Sequence, residues 1–123
     1  MKLELSPRAV REAERCARWW RENRPAAPML FLEELRAALD QIRTAPQLGI
    51  AYQAMRGREH RRVLMPRTRS HVYYRVVGPD RVRILAVWSA VRGRGPRLWP
   101  SSGNEQGVGF LEGGTWVARA RGQ

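Results

Sequence analysis

In 123 residues the chain has one cysteine, two histidines and one lysine. The lone Cys16 has no partner for an internal disulfide. With only His60 and His71 to join it, there is no ligand set of the usual zinc spacing, so neither a metal site nor a cofactor is expected. No apolar run approaches the roughly 18–20 residues that cross a bilayer. The opening stretch Met1–Glu12 lacks the apolar core of a secretory signal. A cytoplasmic protein without a membrane partner is therefore expected. There is no phosphate-binding loop of the Walker type and no serine in a nucleophile-elbow motif. The one acidic pair, Glu33–Glu34, falls within a helical pattern and reads as a solvated face.

Acidic residues are scarce, and unevenly so. The formal net charge is +12. Residues 1–50 hold nine basic and seven acidic residues, whereas residues 51–98 hold twelve arginines against Glu59 and Asp80 alone. A compositional preference for arginine explains why Lys2 stands alone among 23 basic residues. It does not explain why one half has lost its acids. A field concentrated on half of a small domain attracts a polyanion or an acidic protein.

What is present suffices for a core, since 43% of residues are hydrophobic, too many for a disordered chain. Lys2 to Leu5 alternates like a short strand. Ser6-Pro7 then opens a helix, the serine as cap and the proline at the first helical position. That helix is predicted from Pro7 to about Asn23, with Val10, Ala13, Ala17 and Trp20 as its apolar stripe and Cys16 near it. Asn23-Arg24-Pro25 stops it, and Pro28 opens a second helix. Phe31, Leu32, Leu35, Ala38, Leu39 and Ile42 form the second stripe, which ends at Thr44-Ala45-Pro46. The two make an antiparallel hairpin that needs a sheet to cover it.

Residues 47–59 read as a polar connection with Ile50, Tyr52 and Met55 turned inward. Three strands follow: Arg61–Met65, Ser70–Val77 and Arg81–Trp88, joined by turns at Pro66–Arg69 and Gly78–Asp80. Strand parity places Val72, Tyr74 and Val76 on one face with Val82, Ile84, Ala86 and Trp88. The opposite face then carries His71, Tyr73, Arg75 and Arg83. Beyond it, Arg92-Gly93-Arg94-Gly95 lets two guanidinium groups reach one anion. The fold class is thus α+β: one N-terminal strand, a two-helix hairpin, and three antiparallel strands forming a sheet with both helices on one face. Residues 1–98 form the domain, and the glycine-rich residues 99–123 are a largely flexible tail, with Thr115–Ala118 a candidate extra edge strand.

Candidate binding residues are Arg62, His71, Tyr73, Arg75, Arg83, Arg92 and Arg94. Two chemistries use them. Arginines and aromatic rings can grip an anionic or acidic partner. Alternatively, His71, Arg75 and Arg92 can cut RNA without metal, the arginines steadying the phosphate and the histidine moving protons.

The order strand, helical hairpin, three strands and basic segment resembles the RelE/ParE superfamily, the toxins of type II toxin–antitoxin modules. Arg61-Arg62-Val63-Leu64, His71-Val72-Tyr73-Tyr74-Arg75-Val76, Ile84-Leu85-Ala86-Val87-Trp88 and Arg92 carry the likeness, which covers roughly residues 2–98 and points to the ParE, or plasmid-stabilisation, branch. The resemblance implies a cognate antitoxin as partner and DNA gyrase as target. RelE-like relatives instead cut messenger RNA in the ribosome. Of the RelE residues, the third-strand arginine falls near His71, the arginine after the fourth strand falls near Ala90 with Arg92 close by, and the tyrosine that would follow has no match at Gly95-Pro96. The histidine often found after the fourth strand in ParE-like relatives is Ser89 here. A third alternative is an inactive basic binding module.

Overall fold

The computed structural model describes residues 1–55, 58–90, 96, 107–112 and 115–120. The chain begins with strand β1 (Lys2–Leu5), followed by helices α1 (Pro7–Asn23) and α2 (Leu30–Thr44) and a 3-10 turn at Pro46–Leu48. Strands β2 (Ile50–Met55), β3 (Arg58–Met65), β4 (Ser70–Val77) and β5 (Arg81–Ser89) come next, then β6 (Gly107–Glu112) and β7 (Thr115–Ala120). Among the described residues the sheet order is β2-β3-β4-β5-β1-β6-β7. β1 runs parallel to β5, and the other described pairs are antiparallel.

The expected α+β layout holds, with two differences in the strands. The polar connection contains β2, and β3 starts at Arg58 instead of Arg61. A register shift between Ala51 and Gln53 interrupts the alternation by which an edge strand is recognised. Within the C-terminal segment, β6 and β7 pair along their whole lengths, and β6 meets β1 at Leu5↔Gly109. α2 begins at Leu30, with Pro28 in the turn before it.

Ser6 caps α1 as its chemistry suggests, its Oγ accepting the Ala9 N–H at 3.1 Å. The small residues Ala9, Ala13 and Ala17 are buried with Val10, which lets α1 lie close to the sheet. Phe31, Leu35, Ala38, Leu39 and Ile42 of α2 bury the second stripe. The core they share includes Leu5, Met65, Val72, Tyr74, Val82, Ile84 and Val87. Full burial of each large side chain contributes about 1.5–3 kcal/mol. Cys16 and Trp20 pack at the margin of this core, whereas Trp19 is exposed.

Face membership on β5 departs from simple parity. Tyr73 is opposite Ala86 and Tyr74 is opposite Ile84, so Leu85 is an extra residue in β5. This bulge reverses the alternation. Val87 joins the helix-side core, while Leu85, Ala86 and Trp88 pack with Tyr73 on the far face. Where β1 ends at Leu5, α1 takes over as the neighbour of β5. Ser6 N–H donates to Ile84 O at 2.9 Å, Ser6 Oγ donates to Leu85 O at 3.1 Å, and Glu12 Oε1 accepts the Val87 N–H at 2.9 Å. At the β4 end, Val76 is 45% exposed instead of facing the core.

Two further carboxylate and hydroxyl contacts fix the loops. Glu34 is not a solvated residue: its Oε2 accepts the Arg67 N–H at 2.7 Å, and its Oε1 accepts Thr68 N–H at 2.8 Å and Thr68 Oγ at 2.6 Å. These bonds hold the β3–β4 turn, in which Arg69 takes the left-handed conformation with φ 56°. Buried Tyr74 donates its hydroxyl to Pro46 O at 2.6 Å and accepts the Gly49 N–H at 2.9 Å. A Cβ on Gly49 would collide with the Tyr74 hydroxyl oxygen.

Tyr74→Phe is expected to cost about 1–3 kcal/mol by leaving the Gly49 N–H unsatisfied, and chemical denaturation measures it. The Glu34 carboxyl feels burial pushing its pKa up. The Thr68 hydroxyl and the two backbone N–H donors outweigh burial and leave it below its ordinary value. Its contribution to stability is therefore complete above the unfolded carboxyl's pKa and is lost as pH falls through the lower folded value. Glu34→Ala is expected to cost about 2 kcal/mol at neutral pH and to flatten the stability–pH curve in that acid window.

Candidate binding face

The far face is organised by cross-strand register. Arg62 of β3 lies opposite Tyr73 of β4, and Leu64 lies opposite His71. On the other flank Tyr73 faces Ala86 and His71 faces Trp88 of β5. Three of the seven predicted residues, Arg62, His71 and Tyr73, are thus brought together. Tyr73 is only 1% exposed, so its ring forms the floor of the site. His71 packs edge-on to it at 5.8 Å between ring centroids, and Tyr52 does the same at 4.7 Å. Arg62 lies 5.5 Å from the centre of the Tyr52 ring, and its charge acts on the Tyr73 hydroxyl. The Arg62–Tyr52 pair is a cation–π contact worth about 0.5–2 kcal/mol by general experience.

The electrostatics follow from this packing. Burial lowers the His71 pKa, and the neighbouring Arg62 charge lowers it further, so the imidazole is neutral near pH 7. Burial raises the Tyr73 pKa, and the neighbouring Arg62 guanidinium offsets part of that rise. The cluster presents one fixed cation, a neutral imidazole and a phenol that keeps its proton.

Arg75 and Arg83 belong to a second group. They lie opposite each other across β4 and β5, and Arg75 is displaced roughly 13 Å along the strand from His71. Glu4 bridges this end, with Arg81 Nη1 at 2.6 Å and Arg83 Nη1 at 3.4 Å. Burial lowers the Arg83 pKa; the Glu4 charge opposes this and Arg81 reinforces it. Arg92 and Arg94 lie outside the described residues. The chain just beyond them returns to this face at Pro96, whose backbone oxygen accepts the Tyr52 hydroxyl at 3.3 Å.

Tyr52 and Trp88 were not among the sequence candidates. Tyr52 sat in the presumed connection, and parity put Trp88 on the helix side. Arg8 of α1 reaches the Trp88 ring, 5.6 Å from its centre. Among the described residues no group of three His, Cys, Asp or Glu could hold a metal ion. No described helix is long and apolar enough to cross a membrane.

The strand–hairpin–strand order and the arginine-bearing face agree with a sequence-family match over residues 3–93, described as the ParE toxin of the type II toxin–antitoxin system, parDE. The chain belongs to the ParE toxin family. It is thus the toxin of a type II module, with an antitoxin as its partner. No curated relative matches the chain. The family match includes the whole Arg62–His71–Tyr73 cluster of this toxin and stops short of β6 and β7.

Replacing Arg62 with glutamine removes one of the two causes that depress the His71 pKa. Proton-detected titration of the imidazole is expected to show His71 below its ordinary value in the native toxin and moved upward in Arg62→Gln.

Proposed function

We propose that this toxin arrests growth by binding DNA gyrase through its arginine-rich far face and the Arg92–Arg97 segment, and that the cognate antitoxin holds it inactive in the cytoplasm. The observation that carries the reading is the Arg62 cluster. It combines a cation with aromatic area above a buried floor, the make-up of an anchoring site in a protein interface. Arg75 and Arg83 extend the positive surface along the same sheet, and Arg94 lies in the basic segment beyond. Binding energy in such a face comes from desolvated arginine and aromatic contacts, with the surplus of charge steering encounter with an acidic or nucleic-acid-bound partner.

A ribosome-dependent ribonuclease is the second reading, favoured by one observation: His71 is neutral and beside a cation, the state in which an imidazole accepts a proton. Against it, Tyr73 is buried, and Arg75 is roughly 13 Å from His71 along β4, too far for both to hold one phosphate from their strand positions. An inactive binding module would share the face and leave growth unaffected.

Purified full-length toxin is expected to inhibit gyrase supercoiling or trap its cleavage complex. Arg62→Gln is expected to raise the concentration needed by about tenfold, a loss of about 1.4 kcal/mol. Unaltered supercoiling together with toxin-dependent cuts in translated messages, lost in His71→Ala and Arg92→Ala, would establish the ribonuclease instead.

A further inference from the structure

Both helices pack on one side of the sheet, yet the other side also holds buried residues. Tyr73 is 1% exposed, Leu85 7% and Ala86 0%. A sheet face without a second layer is wet, so their burial calls for a cover. Tyr52 and Trp88 pack against them, and Pro96 reaches the same cluster from outside the sheet. Pro96 is fully buried, and its carbonyl accepts the Tyr52 hydroxyl at 3.3 Å. The Tyr52 ring sits edge-on to Tyr73, with centroids 4.7 Å apart, and has the Arg62 guanidinium 5.5 Å from its centre.

Proline suits this seat. A buried backbone group needs a hydrogen-bond partner. Proline has no N–H, so its carbonyl is the single main-chain group left to satisfy, and Tyr52 satisfies it. At 3.3 Å the bond is long for a hydroxyl donor, so burial of the proline ring holds the contact more than the bond does. The chain is fixed before this point as well, where the Ala90 N–H donates to Arg69 O at 2.8 Å. Arg92 and Arg94 fall between these two fixed points, and Arg97 directly follows the second.

We infer that Pro96, seated on Tyr52, is a positioning residue of the binding face: it pins the basic segment Arg92–Arg97 beside Arg62, so that both are presented to gyrase as one surface. The inference rests on the reading of the chain as a gyrase-binding toxin. Consecutive Cα atoms are about 3.8 Å apart, which keeps the Arg94 and Arg97 backbones within about 8 Å of the seated proline. A glycine-containing segment left free loses conformational entropy when it binds. A segment already held has lost that entropy on folding, and its arginines meet the partner with less of it to give up. Tyr52 joins the two parts, its ring against the Arg62 cation and its hydroxyl on the segment.

Calorimetric titration of purified gyrase with the full-length toxin tests this, with thermal unfolding of every variant measured alongside. Pro96→Gly removes the ring and leaves the side chains of the Arg62 cluster in place. It is expected to weaken binding about tenfold while unfolding near the native temperature. Arg94→Gln is expected to weaken binding about fivefold in the native background and less than about twofold in Pro96→Gly, because a released segment no longer presents that charge. A purely structural proline leaves the Arg94→Gln effect equal in both backgrounds, and that equality overturns the inference. Tighter binding by Pro96→Gly overturns it too, since the segment then shields the face. Where Pro96→Gly lowers the unfolding temperature, Pro96→Ala takes its place in the same comparison. Trypsin gives a readout that needs no gyrase: cleavage after Arg94 is expected to be at least about tenfold faster in Pro96→Gly than in the native toxin, and an unchanged rate overturns the anchor. Native toxin that fails to bind gyrase defeats the reading on which the inference rests, whereas native binding with equal Arg94→Gln effects defeats the role of Pro96 alone.

Discussion

The architecture depends on how α1 is joined to β5 at the Leu85 bulge. β1 is only four residues long, and beyond Leu5 it no longer supplies β5 with hydrogen bonds. Ser6 and Glu12 continue the edge from the start of the helix, taking up Ile84 O, Leu85 O and the Val87 N–H. A buried backbone group left without a partner costs about 1–3 kcal/mol, so three such contacts are a strong constraint on register. Glu12 is itself held by Arg8, with Nε 3.0 Å from Oε2. The bulge moves Val87 into the helix-side core and sends Ala86 and Trp88 to the other face, beside Leu85. The apolar support beneath Tyr73 exists because of that reversal.

The far face gains its character from one cation on an apolar floor. Surface ion pairs contribute little because water screens both partners, and among the described residues most arginines are of that exposed kind. Arg62 differs. It is half-buried and close to the Tyr52 ring. Burial lowers the His71 pKa, and the Arg62 charge lowers it further. The same residue borders a cavity at the edge of β3 beside the end of α2.

Much of this was legible in the sequence. Ser6-Pro7 announced α1, the two apolar stripes gave the helical hairpin, and the alternation of Ser70–Val77 gave β4 with His71 and Tyr73 on the face opposite the helices. The bulge was not legible, because no glycine marks Leu85 and an apolar run reads the same with or without an extra residue. Parity consequently placed Ala86 and Trp88 on the wrong face. β2 was hidden by its own register shift at Tyr52, and with it the ring that completes the cluster. Glu34 looked like half of a solvated pair because its partners, the backbone N–H groups of Arg67 and Thr68, lie 33 and 34 positions away in the chain. Side-chain periodicity carries no record of contacts to distant backbone.

The central claim is that the far face acts by gripping a partner through Arg62 and not by proton transfer at His71. Growth on expressing the chain without antitoxin, compared between Arg62→Gln and His71→Gln, tests it most directly. Glutamine at position 71 keeps a polar side chain but cannot relay a proton as imidazole does. The account predicts that, at the lowest expression level at which the native chain arrests growth, His71→Gln still arrests it and Arg62→Gln does not. Arrest retained by Arg62→Gln and abolished by His71→Gln would contradict it.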